Sequence, residues 1–141
     1  MIDREIVATR LSKLRDALRK LRSIAEKPRD EYLGSETDMA LAEHFLRLAL
    51  EAMLDTGNHV IAAAGYRKPQ RMRDIPVILS DNGVVDRDLA ARLARATGLR
   101  NRLVHRYAEL DHAIIYDVLQ ADLDDLETYA VAIGAFCARS P

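Results

Sequence analysis

The segment Ser35–Gly65, SETDMALAEHFLRLALEAMLDTGNHVIAAAG, decides the fold. Ser35-Glu36-Thr37-Asp38 has the form of a capping box: the serine hydroxyl can satisfy a first-turn amide, and the acids suit the positive end of a helix. From there Leu41, Phe45, Leu48, Ala52 and His59 recur at helical spacing as far as Ala64, and Gly65 is a natural stop. Leu46, Leu50, Met53 and Leu54 widen the apolar arc beyond one stripe, which predicts a second buried surface such as a homodimer interface. Gly57, inside this helix, costs about 1 kcal/mol relative to alanine and marks close packing or a bend.

Upstream, Ile6, Leu14, Leu18, Leu21 and Ile24 define an amphipathic helix from about Arg4 to Lys27, ended by Pro28 because the residue before proline is pushed out of the helical region. Downstream, Tyr66-Arg67-Lys68-Pro69-Gln70-Arg71-Met72-Arg73 is basic and broken by proline. Short helical patterns follow at about Met72–Leu79 and Asp86–Ala96, separated by Asp81-Asn82-Gly83, and Gly98 punctuates the chain before Leu99. A last long helix is expected from about His112 to Ala138. The class is all-α: an antiparallel bundle of four to five helices, with residues 1–141 forming one domain.

Composition bounds the function. Apolar residues make up 49% and charged residues 30%, which suits a packed helical core. The net charge of −1 gives no overall attraction to nucleic acid or anionic membrane, so local charge must carry any such argument. Arginine concentrates between Arg67 and Arg106, whereas Asp111, Asp117, Asp122, Asp124, Asp125 and Glu127 make the last third acidic. A lone Cys137 excludes an internal disulfide, and no Cys/His spacing suits zinc. With no secretory stretch after Met1 and no apolar run of membrane-spanning length, the expectation is a cytoplasmic protein with no membrane partner.

The densest set of reactive groups is Arg100-Asn101-Arg102-Leu103-Val104-His105-Arg106-Tyr107. Histidine exchanges protons near neutral pH, and an arginine fork pairs with phosphate oxygens, so the set could attack a phosphodiester without a metal. On a straight helix Arg100 and His105 stand about 140° apart, whereas Asn101 and His105 nearly align, as do Arg100 and Tyr107. A break near His105, or a two-fold dimer, would bring the groups to one cleft. Arg92 and Arg95 near this segment and Arg102 within it are candidate contacts to nucleic-acid phosphate, and the Arg67–Arg73 cluster is a weaker one. Asn58 and His59 either line the cleft or pack in the core. His44 and His112 read as ordinary helix-face or cap residues.

Arg100-x4-His105-x-Tyr107 resembles the motif of the HepT toxins of the HEPN superfamily, including the Arg-Asn opening and the Gly98-Leu99 pair before it. Asn58-His59-Val60-Ile61-Ala62 is similar to that family's Asn-His-apolar-apolar-Ala segment. The resemblance covers nearly the whole chain. It implies a homodimer with two motif copies at the interface, acting as a ribonuclease on tRNA or mRNA with neither metal nor cofactor. It implies catalytic roles for Arg100 and His105, with Asn101 orienting the site. It also implies that Tyr107 is modified with AMP by a nucleotidyltransferase antitoxin of the MntA type, whose own Gly-Ser and paired-Asp signature this chain lacks. Arg106 occupies the motif's variable position, where a positive charge favours phosphate without selecting a base. The alternative is a helical protein that binds nucleotides or a nucleotidyltransferase without cutting RNA; a purely structural adaptor is a further one.

Overall fold

The computed structural model describes residues 1–105 and 111–140, with His105 described by its backbone alone. Among these residues there are seven helices and no strand: α1 (Arg4–Ala25), α2 (Arg29–Leu33), α3 (Glu36–Ala64), α4 (Asp74–Asp81), α5 (Arg87–His105), α6 (His112–Ala121) and α7 (Leu123–Arg139). The expected all-α bundle is what is found, with α1, α3, α5 and α7 as its long members and the others as short connecting helices.

Local chemistry sets the helix ends. Asp3 caps α1, its carboxylate accepting from the Glu5 and Ile6 amides. The Ser35 hydroxyl accepts from the Asp38 amide at 3.1 Å, as the capping box predicts, and Gly65 closes α3 in the left-handed conformation at φ 75°. The apolar periodicity does not predict the five-residue α2, which follows Pro28 directly and fully buries Tyr32.

End-to-end contacts fix the directions of the helices. The Asp3 amide donates to His59 near the far end of α3, while Lys27 Nζ meets Asp38 Oδ2 at 2.7 Å near its start, so α1 and α3 run antiparallel. Arg4 donates to the Ser140 and Ala138 carbonyls, and Arg22 pairs with Asp124 and Glu127, so α1 and α7 are antiparallel too.

Helix α3 is central, touching α1, α2, α4, α5, α6 and α7. This corrects one expectation: Leu46, Leu50 and Met53 are each 1% exposed and Leu54 5%, so the wide apolar arc is buried within the chain and carries no argument for a second copy. Gly57 marks close packing. A Cβ there would stand 2.6 Å from Ile75 Cγ2 and 2.9 Å from the Tyr129 hydroxyl. That hydroxyl donates to the Met53 carbonyl at 2.6 Å and lies 3.1 Å from Thr56 Oγ1, a buried polar link between α3 and α7.

Two further expectations are corrected. Gly98 does not interrupt the chain: α5 passes through it, because burying Leu93, Leu99 and Leu103 on one stripe outweighs the roughly 1 kcal/mol that a mid-helix glycine costs. The last helix is two, broken at Asp122, which ends α6 and begins α7. The buried stripe Ile115, Leu119, Leu123, Leu126, Ala130 and Ile133 keeps helical spacing across the break, so periodicity alone does not reveal it. No helix among the described residues is long and apolar enough to cross a membrane.

Candidate active site

Helix α5 carries the reactive segment. Its inner face buries Leu89, Leu93, Leu99 and Leu103, which sets the rotation of the helix and leaves Arg95, Asn101 and Arg102 exposed. Arg100 lies between these extremes, its side chain 18% exposed and turned toward α3.

There it meets residues that the sequence did not single out. Arg100 Nη2 lies 3.6 Å from Glu51 Oε1, and its Nη1 donates to the Asn101 side-chain oxygen at 3.4 Å. Glu51 accepts from Arg47 Nη1 one turn earlier on α3, at 3.3 and 3.4 Å. One carboxylate thus stands between two guanidinium groups, leaving a net positive charge of one in a half-buried position where solvent screens it less than at the open surface. The Nε of Arg100 is buried with no hydrogen-bond partner among the described residues. The only signal of Arg47 and Glu51 in the sequence is their i, i+4 spacing, which reads as an ordinary surface pair.

The helix runs without a break from Arg100 to His105, so the backbone itself turns about 140° between them. The side chain of His105, and all of Arg106 and Tyr107, lie outside the described residues.

The other predicted site residues separate. Asn58 is exposed on α3, seven residues beyond Glu51 and so on nearly the same side, about 10 Å farther along the axis. His59 turns instead to α1: its Nε2 accepts the Asp3 amide at 3.1 Å, which requires that nitrogen to be unprotonated and ties the ring to the start of α1. Arg92 is paired with Asp125 at 2.9 Å. Arg92, Arg95 and Arg102 line a cavity of about 200 Å³ together with Leu50, Leu93 and Asp122. Burial raises the Asp122 carboxyl above its ordinary range, Asp125 adding to the shift and Arg95 and Arg92 opposing it. His112 Nε2 lies 3.3 Å from Glu43, and His44 packs edge-on against Phe45. In the basic loop, Arg67 reaches Asp81 at 3.5 Å, and the Asp74 carboxylate accepts the Gln70 and Arg71 amides.

Comparison with solved structures places this bundle among the HEPN toxins. It superposes with a TM-score of 0.85 on the tri-AMPylated Shewanella oneidensis HEPN toxin in complex with MNT antitoxin, at 26% identity over 96% of this chain and 99% of that one. It superposes equally well, also at 0.85, on the cytosolic protein YutE from Bacillus subtilis, at 25% identity over 99% of this chain and 95% of that one. The family model described as Ribonuclease HepT-like matches residues 14–133, and the chain belongs to that family. Among its relatives, the tRNA nuclease HepT of Aphanizomenon flos-aquae is 26% identical over 96% of this chain and 92% of its own length. The mRNA nuclease HepT of Shewanella oneidensis is 34% identical over 64% of this chain and 68% of its own.

Proposed function

We propose that this protein is the ribonuclease toxin of a toxin–antitoxin pair, cutting RNA by a metal-independent route centred on Arg100 and His105. The observation that carries the reading is the Arg100-x4-His105-x-Tyr107 motif, whose Arg100 and His105 lie on α5, with the Arg100 guanidinium held by Glu51 and Asn101. Membership of the HepT-like family supports it, as do relatives described as tRNA and mRNA nucleases.

In this reading His105 takes the proton of a ribose 2′-hydroxyl. The 2′-oxygen attacks the adjacent phosphorus, the bond from phosphorus to the 5′-oxygen breaks, and that oxygen leaves as a hydroxyl after protonation. The other product is a 2′,3′-cyclic phosphate. Arg100 stabilises the charge on the pentacoordinate phosphorus, and Asn101, one turn before His105, keeps the imidazole oriented. Arg95, Arg102 and Arg106 add positive charge along the RNA. Two copies pair so that both motifs line one cleft, and Asn58 borders it.

Regulation follows from the same motif. A nucleotidyltransferase antitoxin of the MntA kind transfers AMP to Tyr107, setting anionic phosphate beside Arg100 and His105 and occupying the place of the RNA phosphate. The AMP-carrying HEPN toxin solved with its antitoxin supports this step.

The test is incubation of the chelator-treated chain with total cellular RNA, wild type beside His105→Ala and Arg100→Ala, with the intact mass read for AMP on Tyr107. Cleavage by unmodified wild type, reduced about 10²-fold or more in both variants, is expected. Absence of cleavage by unmodified, dimeric protein would favour the non-catalytic nucleotide-binding alternative.

A further inference from the structure

A groove of about 870 Å³ runs between the basic loop before α4 and the outer face of α5. Arg71 and Arg73 line it from the loop and Arg95 from α5, together with the small residues Ala94 and Gly98 and with Asn101, the chain neighbour of Arg100. The loop arginines and Arg95 stand more than twenty positions apart in the chain, and the fold brings them to one groove. We infer that this groove holds the sugar-phosphate backbone of the RNA outside the scissile bond and leads it to Arg100. The inference rests on the ribonuclease reading and extends it to a substrate-binding surface.

Three features favour a polyanion. Among the described residues, none that lines the groove carries a carboxylate. Asp74, next to Arg73 in the chain, accepts the Gln70 and Arg71 amides, which ties down the loop backbone that carries the exposed Arg71 and Arg73. The α5 side carries the small residues Ala94 and Gly98, and a Cβ at Gly98 would meet nothing within 4 Å, so a bulky chain can approach α5 closely. From Ala91 to Asn101 that side spans about 15 Å of helix, room for a few nucleotides. A second copy of the chain fits less well, since packing groove against groove in a two-fold contact would oppose arginine to arginine.

The test uses full-length His105→Ala protein, which would bind RNA without cutting it, and a fluorescein-labelled single-stranded oligouridylate, titrated over a range of salt. Adding Arg71→Glu and Arg73→Glu should weaken binding at least about tenfold and reduce the slope of log affinity against log salt by about 0.7 for each phosphate no longer neutralised. Reversing Lys13 and Arg15 to Glu, on the exposed side of α1, makes the same change in net charge and should do neither to that extent. Equal losses in the two double variants, or unchanged affinity in the groove variant, would overturn the inference while RNA cleavage by wild type left the ribonuclease reading standing. A groove variant that changes the oligomeric mass but binds RNA as before would show a subunit contact and also overturn it. If wild type neither binds nor cleaves RNA, both readings fall together.

Discussion

The Nη2 of Arg100 lies 3.6 Å from the Glu51 carboxylate across the contact of α5 with α3. Glu51 also engages Arg47, so it holds two guanidinium groups in one place while RNA is absent. On the proposed ribonuclease reading, Glu51 is a positioning residue for Arg100. Glu51→Ala should lower kcat for RNA cleavage about tenfold, equivalent to about 1.4 kcal/mol of transition-state stabilisation, with a smaller change in KM. Glu51→Gln keeps an acceptor for Arg100 and should recover most of the loss, whereas a purely structural role would lower Tm in both variants alike.

At Gly57, α3 packs closely against Ile75 of α4 and Tyr129 of α7. In Gly57→Ala the new methyl would press on Ile75 and the Tyr129 hydroxyl, and we expect a loss of about 1–3 kcal/mol. Thermal unfolding followed by circular dichroism should show Tm lower by at least about 4 °C.

Gly98 offers the opposite case. It is exposed inside α5 with no neighbour near its would-be Cβ, so Gly98→Ala should stabilise the protein by about 0.5–1 kcal/mol in urea unfolding. A loss of stability would mean that something packs against that face.

Two buried phenols make the fold sensitive to alkali. Burial, with Glu43 and Asp38 adding, pushes Tyr32 up to about 12 from an ordinary 10.0, and burial raises Tyr129 as well. Each contributes stability that is complete below the ordinary phenol range and is lost as pH rises through the folded value, because the unfolded chain releases its proton first. Unfolding free energy should therefore fall between about pH 10 and 12. Tyr32→Phe should flatten that fall. Since the Tyr32 hydroxyl is buried without a partner, the same change should leave stability at pH 7 equal or higher by up to about 1 kcal/mol. Tyr129→Phe, which removes the donor to Met53, should cost about 1–2 kcal/mol.

The sequence by itself determined the all-α class, the long helices α1 and α3 with their caps, and the place of the candidate reactive segment, because these rest on interactions within a turn or two of chain. Ser35 capping Asp38, Gly65 closing α3, and the Arg100-to-Tyr107 cluster are all legible from neighbours a few positions apart. Only the tertiary structure decided which side chains from distant helices meet. Glu51 meets Arg100, Arg71 and Arg73 line one groove with Arg95, and His59 serves the start of α1, because packing at Gly57, Tyr129 and the α5 leucines sets each helix's rotation and axial position. Periodicity is blind to that register. It was blind for the same reason to the break at Asp122, where the apolar stripe continues while the backbone does not, and to the intrachain burial of Leu46, Leu50 and Met53, which a lone helix displays as a face awaiting a partner.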